Sequence, residues 1–158
     1  MMKNIFYTIL GTILFVSCAK RPGISDPIPK HEDMRITSSI LKEERIINVW
    51  TPPNYNNSII NYPVFYMPDG GIKEDFPHIA NTLDKLIREK KIPACILVGI
   101  ENTERRRDLT GESKVKEDEQ FNIPMTDGAK DFRAFITDEL IPEINSRYRT
   151  NDKKVIIG

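Results

Sequence analysis

Two apolar runs constrain this chain more than any other feature: 63-PVFYM-67 and 94-ACILVGI-100. Each has strand length and is continuously apolar rather than alternating, the pattern of a strand buried on both faces, as in a parallel sheet. Between them, 78-HIANTLDKLIREKK-91 places Ile79, Leu83, Leu86 and Ile87 at helical spacing. Its late Arg88, Lys90 and Lys91 suit the negative end of a helix dipole. Pro93 separates that helix from the second run. Ahead of these elements, two strands are predicted at 34–41 and 45–51, joined by the charged turn Lys42-Glu43-Glu44 and ended by Pro52-Pro53.

The second half repeats the alternation. A long charged segment from Glu101 to Asp127 is too long for an ordinary connection and points to a functional or disordered loop. A helix is predicted over 129–147, with Phe132, Phe135, Ile136, Leu140, Ile141 and Ile144 on one stripe, and Phe132, Phe135 and Tyr148 in its core. Pro142 should kink it or split off its last turn. The chain then reads 151-NDKKVIIG-158, a short apolar β-branched run of buried-strand type breaking into a glycine turn. Strands alternating with helices give the α/β class: a mostly parallel sheet with an antiparallel first hairpin. At 158 residues the chain builds one domain, here 34–158, and no internal repeat is visible.

The N-terminus reads as a separate module. Lys3, an apolar core from Ile5 to Val16 and the small-residue exit Ser17-Cys18-Ala19 have the charge, length and exit of a secretory signal over 1–17. Leu14-Phe15-Val16-Ser17-Cys18 resembles a bacterial lipoprotein box, although Phe15 departs from it. The resemblance implies lipidation of Cys18 and attachment to the bacterial cell envelope after secretion across the inner membrane. Residues 18–33, with three prolines, are expected to be a poorly ordered tether, in which His31 could hold neither a metal nor a catalytic role. Cys95 is left alone, with no partner for an internal disulfide. A formal net charge of zero excludes a general nucleic-acid binder, and Arg105-Arg106-Arg107 is balanced locally by Asp108 and nearby glutamates.

Five phrases together carry a resemblance: 45-RIINVWTPPNY-55, 63-PVFYMPDGG-71, 96-ILVGIENTERRRDLT-110, 128-GAKDFRAFITDELIPEINSRYRT-150 and 155-VIIG-158. The chain from about residue 36 onward resembles the N-terminal half of esterases of the esterase D/enterochelin esterase-like group, within the α/β-hydrolase superfamily. That resemblance implies a serine carboxylic-ester hydrolase without a cofactor, acting on a small-molecule or glycan ester such as a siderophore or acyl ester. It also implies that Gly158 is the first glycine of a G-x-S-x-G nucleophile elbow. Serine, acid and histidine would then all lie beyond Gly158, and the residues up to it would be inactive alone. Neither His31 nor His78 fits the base position.

What these residues would still supply is one side of an oxyanion hole. From the residues alone, Asp-Gly-Gly reads first as a strand-ending turn; the resemblance reverses this and favours the amide of Gly71, with Gly70 making the turn. Asn102, Arg105, Arg107 and Asp108 match the family's loop phrase on the substrate side. An arginine could pair with Asp108 to fix that loop, or meet an anionic or polyhydroxy substrate. Arg106 breaks the phrase and is expected in solvent. The run Glu117-Asp118-Glu119 reads as a solvated face, and no metal site is expected. Two other readings stay open: a non-catalytic, lipid-anchored binding module of the same fold, and an inactive gene fragment.

Overall fold

The computed structural model describes residues 26–121 and 126–158. The signal segment 1–17, Cys18 and the first part of the tether lie outside these residues. The strands are β1 (Glu32–Ser38), β2 (Glu43–Trp50), β3 (Tyr62–Pro68), β4 (Ile96–Ile100) and β5 (Thr150–Ile156). The helices are α1 (Phe76–Arg88), α2 (Arg105–Leu109), α3 (Gly128–Ala134) and α4 (Ile141–Arg147). They build one five-stranded sheet in the order β1-β2-β4-β3-β5. β3 pairs in parallel with both β4 and β5, whereas β2 pairs antiparallel with β1 and with β4.

The continuous apolar runs sit in the sheet interior, covered on both faces as their pattern requires. Val64, Tyr66, Ile96, Val98 and Ile100 pack with Phe132, Phe135, Leu140 and Ile144 of the second helical segment. The alternate residues Met67, Cys95 and Leu97 pack with Phe76, Ala80 and Leu83 of α1. Successive strand side chains point to opposite faces, so one apolar run serves two helical layers. Burial pushes the Cys95 thiol up to about 11, which keeps it neutral and packed as a small apolar group.

Several boundaries differ from those the sequence suggested, each for a physical reason. The first strand covers 32–38 rather than 34–41. Its hairpin closes through Lys42 at φ 59, with the Glu139 carboxylate accepting from Ser38 Oγ, Ser39 N and Ile40 N. The tether is ordered in its last part. Asp26 pairs with His78 Nδ1 at 2.8 Å, Asn81 Nδ2 donates to Pro27 O at 2.7 Å, and the His31 ring meets Phe76 edge-on. The second helix spans the expected range, but its irregularity precedes Pro142. Phe135–Leu140 is a π-helical turn joining α3 to α4. Proline has no N–H and crowds the carbonyl four residues back, and a widened turn absorbs both problems.

The last strand is the largest departure. It begins at Thr150, not at Val155, and its apolar end is exposed, Val155 at 43% and Ile156 at 62%. Among the described residues β5 pairs in parallel with β3, and its first part carries the charged Asp152, Lys153 and Lys154.

Candidate active site

The loops after β3 and β4 leave the sheet side by side, because their strands are parallel neighbours. Ligand sites in α/β folds gather at such carboxyl ends. After Pro68 the chain turns sharply through Asp69, at φ 58, into Gly70 and Gly71. Gly70 lies directly against β4: its N–H donates to Ile100 O at 2.9 Å, and its carbonyl accepts from the buried Asn48 Nδ2 at 2.9 Å. A Cβ on Gly70 would sit 2.3 Å from Gly99 Cα, so only glycine allows this crossing. Gly71 is buried, and its N–H donates to Glu74 Oε2 at 2.6 Å.

The four loop residues singled out from the sequence split into two clusters. Arg105 grips Asp69 with two bonds, Nε to Oδ1 at 2.6 Å and Nη2 to Oδ2 at 3.0 Å. Asn102 Nδ2 donates to Asp69 Oδ1 at 2.6 Å and to Glu74 Oε1 at 2.7 Å. These bonds tie the β4 loop to the Gly70–Gly71 turn. In the second cluster Arg107 donates to Glu43 through Nη2 at 2.7 Å and Nη1 at 3.1 Å, and its Nε donates to Asp108 Oδ1 at 2.8 Å.

Asp108 is fully buried, and its principal partner is one the sequence reading did not name. Arg45 of β2 has a side chain with no solvent exposure, and its Nη2 donates to Asp108 Oδ2. Its Nη1 reaches Glu101 O at 3.3 Å, and its guanidinium lies 5.3 Å from the Phe132 ring centre. Arg45 Nε lies 2.8 Å from Glu43 Oε1, an ion-pair contact whose angle is too poor for a hydrogen bond. Arginine is suited to such a site because its planar fork serves several acceptors at once.

Of the two arginine roles the sequence left open, pairing is the one these contacts display. Arg105 and Arg107 are both engaged by carboxylates. Arg106 is exposed, as expected, although its Nη1 also donates to Phe121 O at 2.6 Å. Glu117, Asp118 and Glu119 lie on a short 3-10 turn with both glutamates exposed, and Asp118 accepts from Ser113 Oγ. His78 and His31 have their polar partners in Asp26 and Pro29.

These ion pairs set a pH dependence. Arg105 holds Asp69 below its usual range, with burial opposing and Asn102 assisting. Arg107 does the same for Glu43, again with burial opposing. A carboxylate with a depressed folded-state pKa contributes stability that is complete above the unfolded value and lost as pH falls through the folded one. The melting temperature of the full-length protein is therefore expected to fall below about pH 4. Arg105→Gln should flatten that acid limb, and an unchanged slope in the variant would contradict the assignment.

Gly158 follows β5, at the end of the described residues.

Comparison with known proteins agrees with this geometry. No curated protein matches the chain. Among solved structures, an IroE-like serine hydrolase from Shewanella oneidensis superposes with a TM-score of 0.73 at 37% identity, covering 82% of this chain and 42% of its own. The enterobactin esterase FES from Shigella flexneri superposes at 0.56 with 17% identity, covering 80% of this chain and 28% of its own. A siderophore hydrolase, EstA from Aspergillus nidulans, does so at 0.60 with 20% identity, covering 80% and 48%. The chain thus spans less than half the length of each. The last two likenesses speak to fold alone, and that fold is the N-terminal portion of an α/β-hydrolase. The family model described as "Putative esterase" matches residues 38–158, and the chain belongs to that esterase family.

Proposed function

We propose that the whole protein is a serine esterase of the bacterial cell envelope. The observation that carries this reading is the Gly70–Gly71 turn, set at the end of β3 beside the β4 loop. The 37% likeness to a serine hydrolase supports it. In this reading Gly158 opens the nucleophile elbow. The serine, acid and histidine of this reading belong to the remainder of the fold, since the chain covers 42% of the Shewanella serine hydrolase.

The serine hydroxyl attacks the ester carbonyl while histidine takes its proton, and the carbonyl oxygen becomes an oxyanion. The Gly71 N–H and the amide after the serine stabilise that charge. The C–O bond to the alcohol then breaks, histidine returns the proton to the leaving oxygen, and water hydrolyses the acyl-enzyme by the same steps. The substrate is a siderophore ester or an acyl ester on a glycan. Lipid on Cys18 holds the enzyme at the membrane, at roughly 0.8 kcal/mol per buried CH₂.

A fluorophosphonate probe applied to the full-length protein tests this directly. The labelled peptide is expected to map to the serine two residues after Gly158, and mass spectrometry of the mature N-terminus should find a lipidated Cys18. A protein that hydrolyses no p-nitrophenyl ester and takes no label would refute the enzymatic reading.

A further inference from the structure

The N–H that the proposed reaction offers to the oxyanion is already occupied. Gly71 N donates to Glu74 Oε2 at 2.6 Å. Asn102 N approaches the same oxygen at 3.4 Å, so amides from two different loops converge on it. The other carboxylate oxygen, Oε1, accepts from Asn102 Nδ2 at 2.7 Å. One carboxylate therefore has two distinct engagements: Oε1 anchors it to the β4 loop, and Oε2 fills a place lined by backbone donors.

A carboxylate oxygen carries partial negative charge and accepts from N–H groups, as a tetrahedral oxyanion does. Bonds of this charge-assisted kind are about twice as strong as neutral ones, so a neutral ester carbonyl cannot displace Oε2 on equal terms. Nor can oxyanion and carboxylate share the N–H, since two like charges in contact repel. The surroundings permit withdrawal: Glu74 is only half-buried, and Ile72 and Lys73 beside it are exposed.

Building on the serine-esterase reading, we propose that Glu74 is the resident occupant of the oxyanion site. It gates the reaction: Oε2 must leave the Gly71 N–H before that donor can serve the substrate, while Oε1 remains on Asn102 as a pivot. The apparent rate is then reduced by the fraction of molecules in which Oε2 has withdrawn. Glu74 acts here on the donor, not on the ester.

The test compares full-length wild type with Glu74→Gln, reading the second-order rate of phosphonylation by a fluorophosphonate together with the melting temperature. Glutamine keeps the length and removes the charge. The variant is expected to react about tenfold faster, as befits exchange of a charge-assisted for a neutral acceptor, even where the weaker contacts lower its melting temperature. Equal rates would overturn the gate. A slower variant with a lowered melting temperature would also overturn it, making Glu74 a clasp between loops. If wild type takes no label at all, the esterase reading fails, and the gate with it.

Discussion

Asp108→Ala is expected to cost the full-length protein about 3–5 kcal/mol of stability, the range for breaking a buried ion pair from one side. The side chains of Asp108 and Arg45 are both without solvent exposure, so removing the carboxylate leaves a guanidinium that water cannot reach. Glu43 and the Glu101 carbonyl remain near it, at 2.8 and 3.3 Å, but the first is poorly aligned and the second is neutral. Arg107 also loses the acceptor of its Nε. The loss should therefore spread from β2 to α2. Arg45→Met combined with Asp108→Leu should recover most of it, because well-packed apolar side chains commonly replace a buried ion pair at little or no cost. Urea unfolding of the three proteins decides the matter. A single mutant within 1 kcal/mol of wild type would mean that the pair is not buried in solution.

Gly99→Ala is the second large effect, and it acts through space rather than charge. A Cβ at Gly99 would sit 2.4 Å from the Gly70 carbonyl oxygen and 2.6 Å from Phe76 Cδ2. Gly70→Ala is blocked reciprocally, 2.3 Å from both Gly99 Cα and Ile100 N. Most of these obstacles are backbone, so no rotamer change relieves them. Overpacking costs about 1–3 kcal/mol and occasionally more, and both variants are expected at or above the top of that range. Gly111→Ala is the internal control: nothing lies within 4 Å of its Cβ, and its melting temperature should match wild type. If Gly99→Ala melts with that control, the two backbones do not cross as closely as described.

How much of this could be read beforehand depends on the range of the interaction. The interior strands were legible because a continuous apolar run of strand length has few other uses. Arg45 could have been read too: it shares parity with Ile47 and Val49, which places a cation on the buried face and requires a partner for it. What could not be read is which acid answers it. Asp108 is 63 residues away, just as Glu74 is 28 residues from Asn102, and pattern within a short window carries no information about such pairs. The start of β5 was hidden because Thr150 to Lys154 is polar and charged, without the apolar run by which the interior strands announce themselves. The ordering of His31 and Asp26 was hidden because proline-rich composition reports backbone preference, not the surface against which the chain lies.

The sheet order has a consequence for the protein's synthesis. β2 is complete at Trp50, but the strand that covers its open side, β4, begins only at Ile96. A ribosome adding about 5–20 residues per second needs about 2–9 seconds to bridge those roughly 45 residues. During that interval the nascent hairpin offers Ile47, Val49 and an uncompensated Arg45 to whatever it meets. β3, although made earlier, must end between two strands that follow it. Wherever the chain folds, the β1–β2 hairpin thus cannot be covered on its open side until the residues through β4 have emerged.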